Sequence, residues 1–340
     1  LHSAPALAGD DLISPVVSLS KTMIEASPPS PRLWKVLLAF AIIYFVWGST
    51  YLAIRIGVRE VPPFLFAAMR FVVAGSVLFA WMRARGTPLP SMREWGAAAF
   101  LAILIFVFDY GLLFWAERRV PSGIAAVMLA TIPVFMALGE IIILRTQRLT
   151  ARLGIALLLG IAGVAVLVGP SMSLGGAPVD RAGAVALIVA AISWSIASSL
   201  SRKLPQPTAK AMSSGLQMLC GGVLLLAASA LLGELRGFRI QSVSREVWLA
   251  LAYLIVAGSI VAYTAYVWLI HHESPTKVGT YAYVNPVVAV VIGYFFGGEP
   301  LGPRTILGTL FVLVSVVVIT TAPKSVAPAS VTDVAEVAER

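Results

Sequence analysis

Residues 33–54 read Leu-Trp-Lys-Val-Leu-Leu-Ala-Phe-Ala-Ile-Ile-Tyr-Phe-Val-Trp-Gly-Ser-Thr-Tyr-Leu-Ala-Ile, an apolar run whose single charge, Lys35, stands near its start. A helix rising ~1.5 Å per residue needs about 20 apolar residues to cross a hydrocarbon core of roughly 30 Å. This run meets that length. It exceeds a signal-peptide core and carries no small-x-small cleavage site, so it reads as a retained membrane helix. Working outward, nine further apolar runs follow at 63–82, 96–116, 121–144, 152–169, 182–201, 211–232, 247–270, 275–296 and 303–321. Most boundaries carry Gly, Pro or Arg. The expected fold is an all-α membrane protein of ten transmembrane helices.

Composition agrees. Of 340 residues, 59% are hydrophobic and 12% charged, and mean hydropathy is +0.91. A soluble domain carries roughly 25% charged residues to cover its wet surface, so no separate soluble domain fits. The net charge of +9 does not mark a nucleic-acid binder, because the basic residues are scattered between apolar runs. Cys220 is the sole cysteine and falls inside an apolar run, which argues against disulfide, zinc or thiol chemistry. Residues 1–32, rich in Ser and Pro, read as a disordered cytoplasmic tail, with Met23 a candidate start. Residues 322–340 read as a second tail.

Lysine and arginine set the orientation. With ten crossings both termini share one side. That side collects about 15 basic residues, among them Arg83, Arg85, Arg93, Arg145, Arg148 and Arg152; the other collects about 9, including Arg55, Arg118, Arg119 and Arg304. Both termini are therefore expected in the cytoplasm of a cell with an inner (plasma) membrane.

The chain also repeats itself. Val120-Pro121-Ser122-Gly123 leads to Pro133 and on to Arg148-Leu149 and Arg152. Ser274-Pro275-Thr276 leads to Pro286 and on to Glu299-Pro300-Leu301 and Arg304. Trp115 and Trp268 keep the same offset. A unit of five helices, an odd number, places its second copy upside down, and inverted repeats belong to alternating-access transporters with a midplane site. Chance likeness among apolar helices is the alternative.

These residues resemble a known family. Val46-Trp47-Gly48-Ser49-Thr50-Tyr51, then Pro62-Pro63 and Arg70-Phe71, are similar to the first two helices of EamA-type transporters of the drug/metabolite superfamily. Val120 to Ala126, Thr280-Tyr281-Ala282-Tyr283-Val284-Asn285-Pro286-Val287-Val288, Gly298-Glu299 and Gly308 extend the likeness over residues 33–321. The resemblance implies two inverted five-helix repeats, 33–169 and 182–321, around a central cavity. It further implies export of small metabolites, amino acids or drug-like molecules. Asp109 departs from it, standing where a small or neutral polar residue is expected.

Charged groups at membrane depth are costly and face protein or water. Arg70 and Asp109 each lie about seven residues from the outer end of their helices, roughly 10 Å deep. An Arg70–Asp109 pair facing the cavity is expected, either locking two helices or binding a substrate ammonium and taking part in proton coupling. Glu140 is expected to snorkel, and Glu117 to be an interfacial loop charge. Pro133 and Pro286 each remove a backbone donor and bend their helix, beside Thr131 and Asn285; simple packing kinks are the plainer use. Trp47, Tyr51, Tyr110, Trp194, Tyr263, Tyr281 and Tyr283 offer apolar bodies with polar tips suited to an amphipathic substrate. An interfacial belt is the competing use, to which Trp115 and Trp268 are assigned. Ser193, Ser195, Ser198 and Ser199 are read as interhelical hydrogen-bonders.

Enzyme chemistry finds no support: His2, His271 and His272 form no His-Glu-x-x-His pattern, the last two are placed in a cytoplasmic loop, and Asp109 has no partner for an aspartyl dyad. No cofactor is expected, nor a channel filter. A non-transporting receptor or scaffold is the alternative to a transporter. The partners expected are a small-molecule substrate and the lipid bilayer; the sequence sets no oligomeric state.

Overall fold

In lipid no water satisfies the peptide groups, so a spanning chain forms helices that close their hydrogen bonds internally. The computed structural model, which describes residues 33–139, 141–142, 150–168, 179–201, 203–272 and 281–320, contains helices and short turns and, among those residues, no strand. Among the described residues, six helices are long and apolar enough to cross a membrane. They are α1 (Leu33–Gly57), α2 (Pro63–Ala84), α3 (Met92–Glu117), α7 (Arg181–Ser201), α8 (Lys210–Leu231) and α9, whose window runs over Arg245–Tyr266 and whose helix continues to His272. The others are shorter: α4 (Ser122–Leu129), α5 (Ile132–Gly139), α6 (Ala151–Val168), α10 (Tyr281–Gly297) and α11 (Pro303–Thr320). His271 and His272 thus end a helix rather than sit in a loop. The tails and Glu140 lie outside the described residues.

Local chemistry sets the boundaries. Pro63 opens α2 at the position where a missing amide costs nothing, and the Glu234 carboxylate accepts from the amides of Phe64 and Leu65. Ser91 and Glu94 form a capping box at the start of α3. Ser244 caps α9, and Gly86, at φ +82°, supplies the left-handed turn after α2.

Wide, π-type turns stand at Ile42–Val46 in α1, Ile103–Gly111 in α3 and Leu254–Val261 in α9. A fourth irregularity is the turn at Ala130–Thr131 between α4 and α5. Pro133 follows it, and its absent amide leaves that turn no α-helical bond to make there. Pro286, in contrast, sits inside the unbroken α10.

Packing rests on small residues, which let backbones meet in lipid. A Cβ on Gly75 would fall 2.5 Å from the Leu219 amide nitrogen, and one on Gly222 2.5 Å from that of Val72. Helices α2 and α8 are therefore antiparallel and in backbone contact. Antiparallel α6 and α11 meet likewise, with Cβ atoms on Gly163 and Gly308 landing about 3 Å from each other's carbonyl oxygens. Arg152 donates to Val318 O at one end of that pair and Arg304 to Val166 O at the other. Inside lie Phe66, Phe71, Phe114 and Leu78, nearly inaccessible; outside, Phe45, Leu158, Val256 and Phe296 are exposed. An apolar exterior over an apolar core suits lipid, not water.

Gly75→Ala is expected to destabilise the fold by on the order of 1–3 kcal/mol by overpacking. Gly96→Ala, which meets open space, should be neutral or slightly stabilising. Paired thermal melts in detergent check the contrast. At the α1–α2 turn the Glu60 carboxylate accepts the Ser244 amide proton at 2.7 Å, which, with the Ser244 hydroxyl, lowers its pKa. A depressed carboxyl contributes stability above its unfolded value and loses it as pH falls through the folded one. Melting temperature should therefore fall less on acidification in Glu60→Gln than in the wild type.

Candidate functional site

The irregular backbone converges on one cavity of about 250 Å³. In α3 the lining residues are Ile105, Phe106, Asp109, Tyr110 and Leu113, a four-residue spacing that puts them on one face of the helix. From α9 come Gly258, Ser259, Tyr263 and Tyr266; from α1, Trp47, Thr50, Tyr51 and Ile54; from α8, Ser214, Gln217 and Met218. Arg70 and Phe71 on α2, Trp194 on α7, and Tyr281 and Asn285 on α10 complete the wall with Leu129 and Ile132.

Arg70 and Asp109 do not pair. Both are buried, each 3% exposed, yet the ion pair expected from their equal depth is absent. The Arg70 Nε donates to Ser259 Oγ at 3.0 Å, and its guanidinium lies 4.8 Å over the Phe71 ring and 5.5 Å from that of Tyr110. Gly258 makes room for it, since a Cβ there would stand 3.3 Å from Nη2. One guanidinium nitrogen, Nη1, and one carboxylate oxygen of Asp109, Oδ1, have no hydrogen-bond partner. Equal depth brings both residues to the same cavity without bringing their charged groups into contact. Arg70 and Asp109 both line the cavity, and each keeps one buried polar atom without a partner.

Aromatic rings enclose the space. Trp47 meets Tyr281 edge-on at 5.3 Å and Tyr266 at 5.4 Å, while its indole N–H donates to Gly258 O at 3.1 Å. Tyr110 meets Trp194 edge-on at 6.1 Å. The Ser214 hydroxyl is hydrogen-bonded to Tyr263. Asn285 Oδ1 is buried with no partner.

Of the other expected residues, Thr131 does not reach the cavity. It is buried, and its hydroxyl donates to Met128 O, closing the turn before Pro133. The Tyr283 side chain lies outside the described residues. Ser193 and Ser195 do bond across helices, to Leu104 O and Ile132 O, whereas Ser198 and Ser199 bond back along α7. Trp115 packs under the Arg119 guanidinium at 3.9 Å. Glu117 is no loop charge: it is 1% exposed, because the α3–α4 hairpin is covered by α1, α7 and the segment before α11. The sequence reading passed over Ser214, Gln217 and Tyr266. Polar residues three apart in an apolar run, and a second tyrosine three beyond Tyr263, were the available signals.

Among the described residues no cluster of His, Cys, Asp and Glu could hold a metal ion.

Comparison with known proteins agrees with this architecture. Residues 33–169 and 181–321 each match the EamA-like transporter family. The uncharacterized inner membrane transporter YedA of Escherichia coli (strain K12) is 39% identical over 293 residues, covering 86% of this chain and 92% of its own. Protein PecM of Dickeya dadantii is 27% identical, over 81% of this chain and 88% of its own. A chain of known crystal structure, 23% identical, superposes with a TM-score of 0.56 over 84% of this chain and 96% of its own, a likeness of fold. Matched along both halves and closely related to a named transporter over most of its length, the chain is a multi-pass membrane transporter that belongs to the EamA-like transporter family.

Proposed function

We propose that this transporter carries a small amphipathic molecule bearing both an acidic and a basic group, such as an amino acid, and exports it by alternating access. The observation that carries the reading is the pair of unpartnered charged groups, Arg70 Nη1 and Asp109 Oδ1, in one aromatic-walled cavity. An uncompensated buried charge is costly. A ligand carboxylate on Arg70 and a ligand ammonium on Asp109 would compensate both at once, and charge-assisted bonds are the strong ones. The rings of Trp47, Tyr51, Tyr110, Trp194, Tyr263 and Tyr281 suit the ligand's apolar part. Asn285 offers a neutral acceptor, while Thr131, Pro133, Pro286 and Tyr283 are assigned to the backbone around the path.

The working architecture is ten membrane helices in two inverted five-helix repeats, with α4 and α5 counted as one crossing. Reciprocal contacts support it. A shift of 147 residues carries Gly75 onto Gly222 and Val72 onto Leu219, so the Gly75–Leu219 contact becomes the Gly222–Val72 one. A shift of 152 residues carries Arg152 and Val166 onto Arg304 and Val318, whose hydrogen bonds mirror one another. The wide turns of α3 and α9 are related by a similar shift. Such reciprocity is what a pseudo-twofold axis in the membrane plane produces. The basic-residue asymmetry supports cytoplasmic termini, and the name of the YedA relative supports an inner membrane.

Counterflow in proteoliposomes against a panel of amino acids, their decarboxylated amines and their deaminated acids tests the reading. At least one zwitterion should exchange. Asp109→Asn should weaken it by about tenfold or more, as loss of a charged hydrogen bond does. The decarboxylated amine should bind poorly to the wild type, and Arg70→Gln should cost it nothing further. Exchange by no solute class, or equal loss for all ligands in both variants, would sink the proposal.

A further inference from the structure

Below the cavity a second set of charges is buried. Ile54 on α1, Leu113 on α3 and Leu129 on α4 close the cavity at one end. One residue beyond Ile54 is Arg55, one turn beyond Leu113 is Glu117, and two turns before Leu129 is Ser122 at the start of α4. Glu299, from the turn joining α10 to α11, enters this cluster. Its carboxylate accepts from Ser122 N and Oγ, each at 2.7 Å, and from Gly123 N at 3.0 Å. Arg55 Nε stands 3.4 Å from the same carboxylate, and Arg55 Nη1 donates to Val120 O at 2.7 Å. Glu299 thus fastens the opening turn of α4 to α1 and α10.

Glu117 is the anomaly. It is buried, both of its oxygens lack a hydrogen-bond partner, and it lies within electrostatic reach of Glu299 and Arg55. One cation faces two carboxyls here, and that cation is already engaged by Glu299 and Val120. The other charged groups around the cluster point elsewhere: Arg118 and Arg119 are exposed, Arg119 against Trp115, Asp180 caps α7, and Arg304 donates to Val166. Tyr51 is the further titratable group in electrostatic reach, from the cavity side. Two carboxyls sharing one buried site cannot both ionise cheaply, so one keeps a proton. Four donor atoms surround the Glu299 carboxylate and none meets Glu117, so the geometry leaves the proton's place at Glu117.

We propose that Glu117 is a proton-binding site that links the outer end of the transporter to external pH, an assignment resting on the alternating-access reading above. With the outer end closed, Glu117 is dehydrated and holds its proton beside the Arg55–Glu299–Ser122 latch. Opening that end lets water in, and the Glu117 O–H bond breaks, leaving a hydrated carboxylate and releasing one proton to the outside. Acid outside therefore favours the closed outer end, and alkali favours the open one. In the sequence the same shifts that relate the halves put Arg202 in place of Arg55, Gln147 in place of Glu299 and Leu269 in place of Glu117. Under those shifts the acid pair has no acidic counterpart in the other half, so its protonation biases one end.

The test places a single reporter, Leu113→Cys, in the Cys220→Ala full chain in intact cells and follows its reaction with an impermeant maleimide. A second reporter, Leu232→Cys on an exposed surface, corrects for the reagent's own pH response. The ratio of the two rates should rise with external pH, by as much as about tenfold per unit where one proton is linked, and Glu117→Gln should hold it flat at its acid value. A flat wild-type ratio, or a slope surviving in Glu117→Gln, overturns the assignment. Should Glu117→Gln fail to fold, infrared spectra of the Asp109→Asn chain decide: a protonated-carboxyl band lost in step with the labelling change supports the site, and its absence overturns it. Solute exchange with a flat ratio would remove the proton site and leave the transport reading intact. A pH-dependent ratio without exchange of any solute would do the reverse.

Discussion

A peptide group stranded in hydrocarbon has no second choice of partner, and much of the irregular backbone here lies beside the central cavity. The wide turns of α3 and α9 supply cavity-lining residues, while the wide turn of α1 and the break at Ala130–Thr131 adjoin others. Lipid-facing stretches carry residues such as Leu158 and Phe296 instead. Irregular backbone at membrane depth is tolerated where it is buried or lines a cavity. The constraint that forbids loops elsewhere thus concentrates them at the place where a ligand fits.

The same constraint governs charge. Arg152 and Arg304 donate to carbonyls of the opposite helix; Glu299 is ringed by donors. Arg70 and Asp109 keep an unanswered atom each, and burying such groups costs free energy that packing must offset. The close glycine contacts of α2 with α8 and α6 with α11 supply that packing without needing large interdigitating side chains. A rigid frame thereby surrounds a polar interior.

Much of this was legible in the chain. Run length and sparse charge gave the helical class, and the paired segments around Pro133 and Pro286 pointed to two halves. Several cavity residues, Trp47, Tyr110, Trp194 and Asn285 among them, stood out as polar or aromatic groups in apolar runs. What stayed hidden depended on azimuth and cover. Hydropathy reports how deep Asp109 lies but not which groups stand beside its carboxyl. Glu117 sits at a run's edge, where exposure is the ordinary expectation, and only the packing of α1, α7 and the turn before α11 encloses it. Thr131 looked like a ligand because it adjoins a proline, yet its hydroxyl is consumed by its own turn.

The hydrogen bond from Trp47 to the Gly258 carbonyl has a bearing on motion. That carbonyl belongs to a wide turn of α9 at the cavity wall, and sliding α1 past it breaks the bond. The indole therefore acts as a tether: relative motion of α1 and α9 along this stretch costs on the order of 1 kcal/mol that motion elsewhere in the bundle does not.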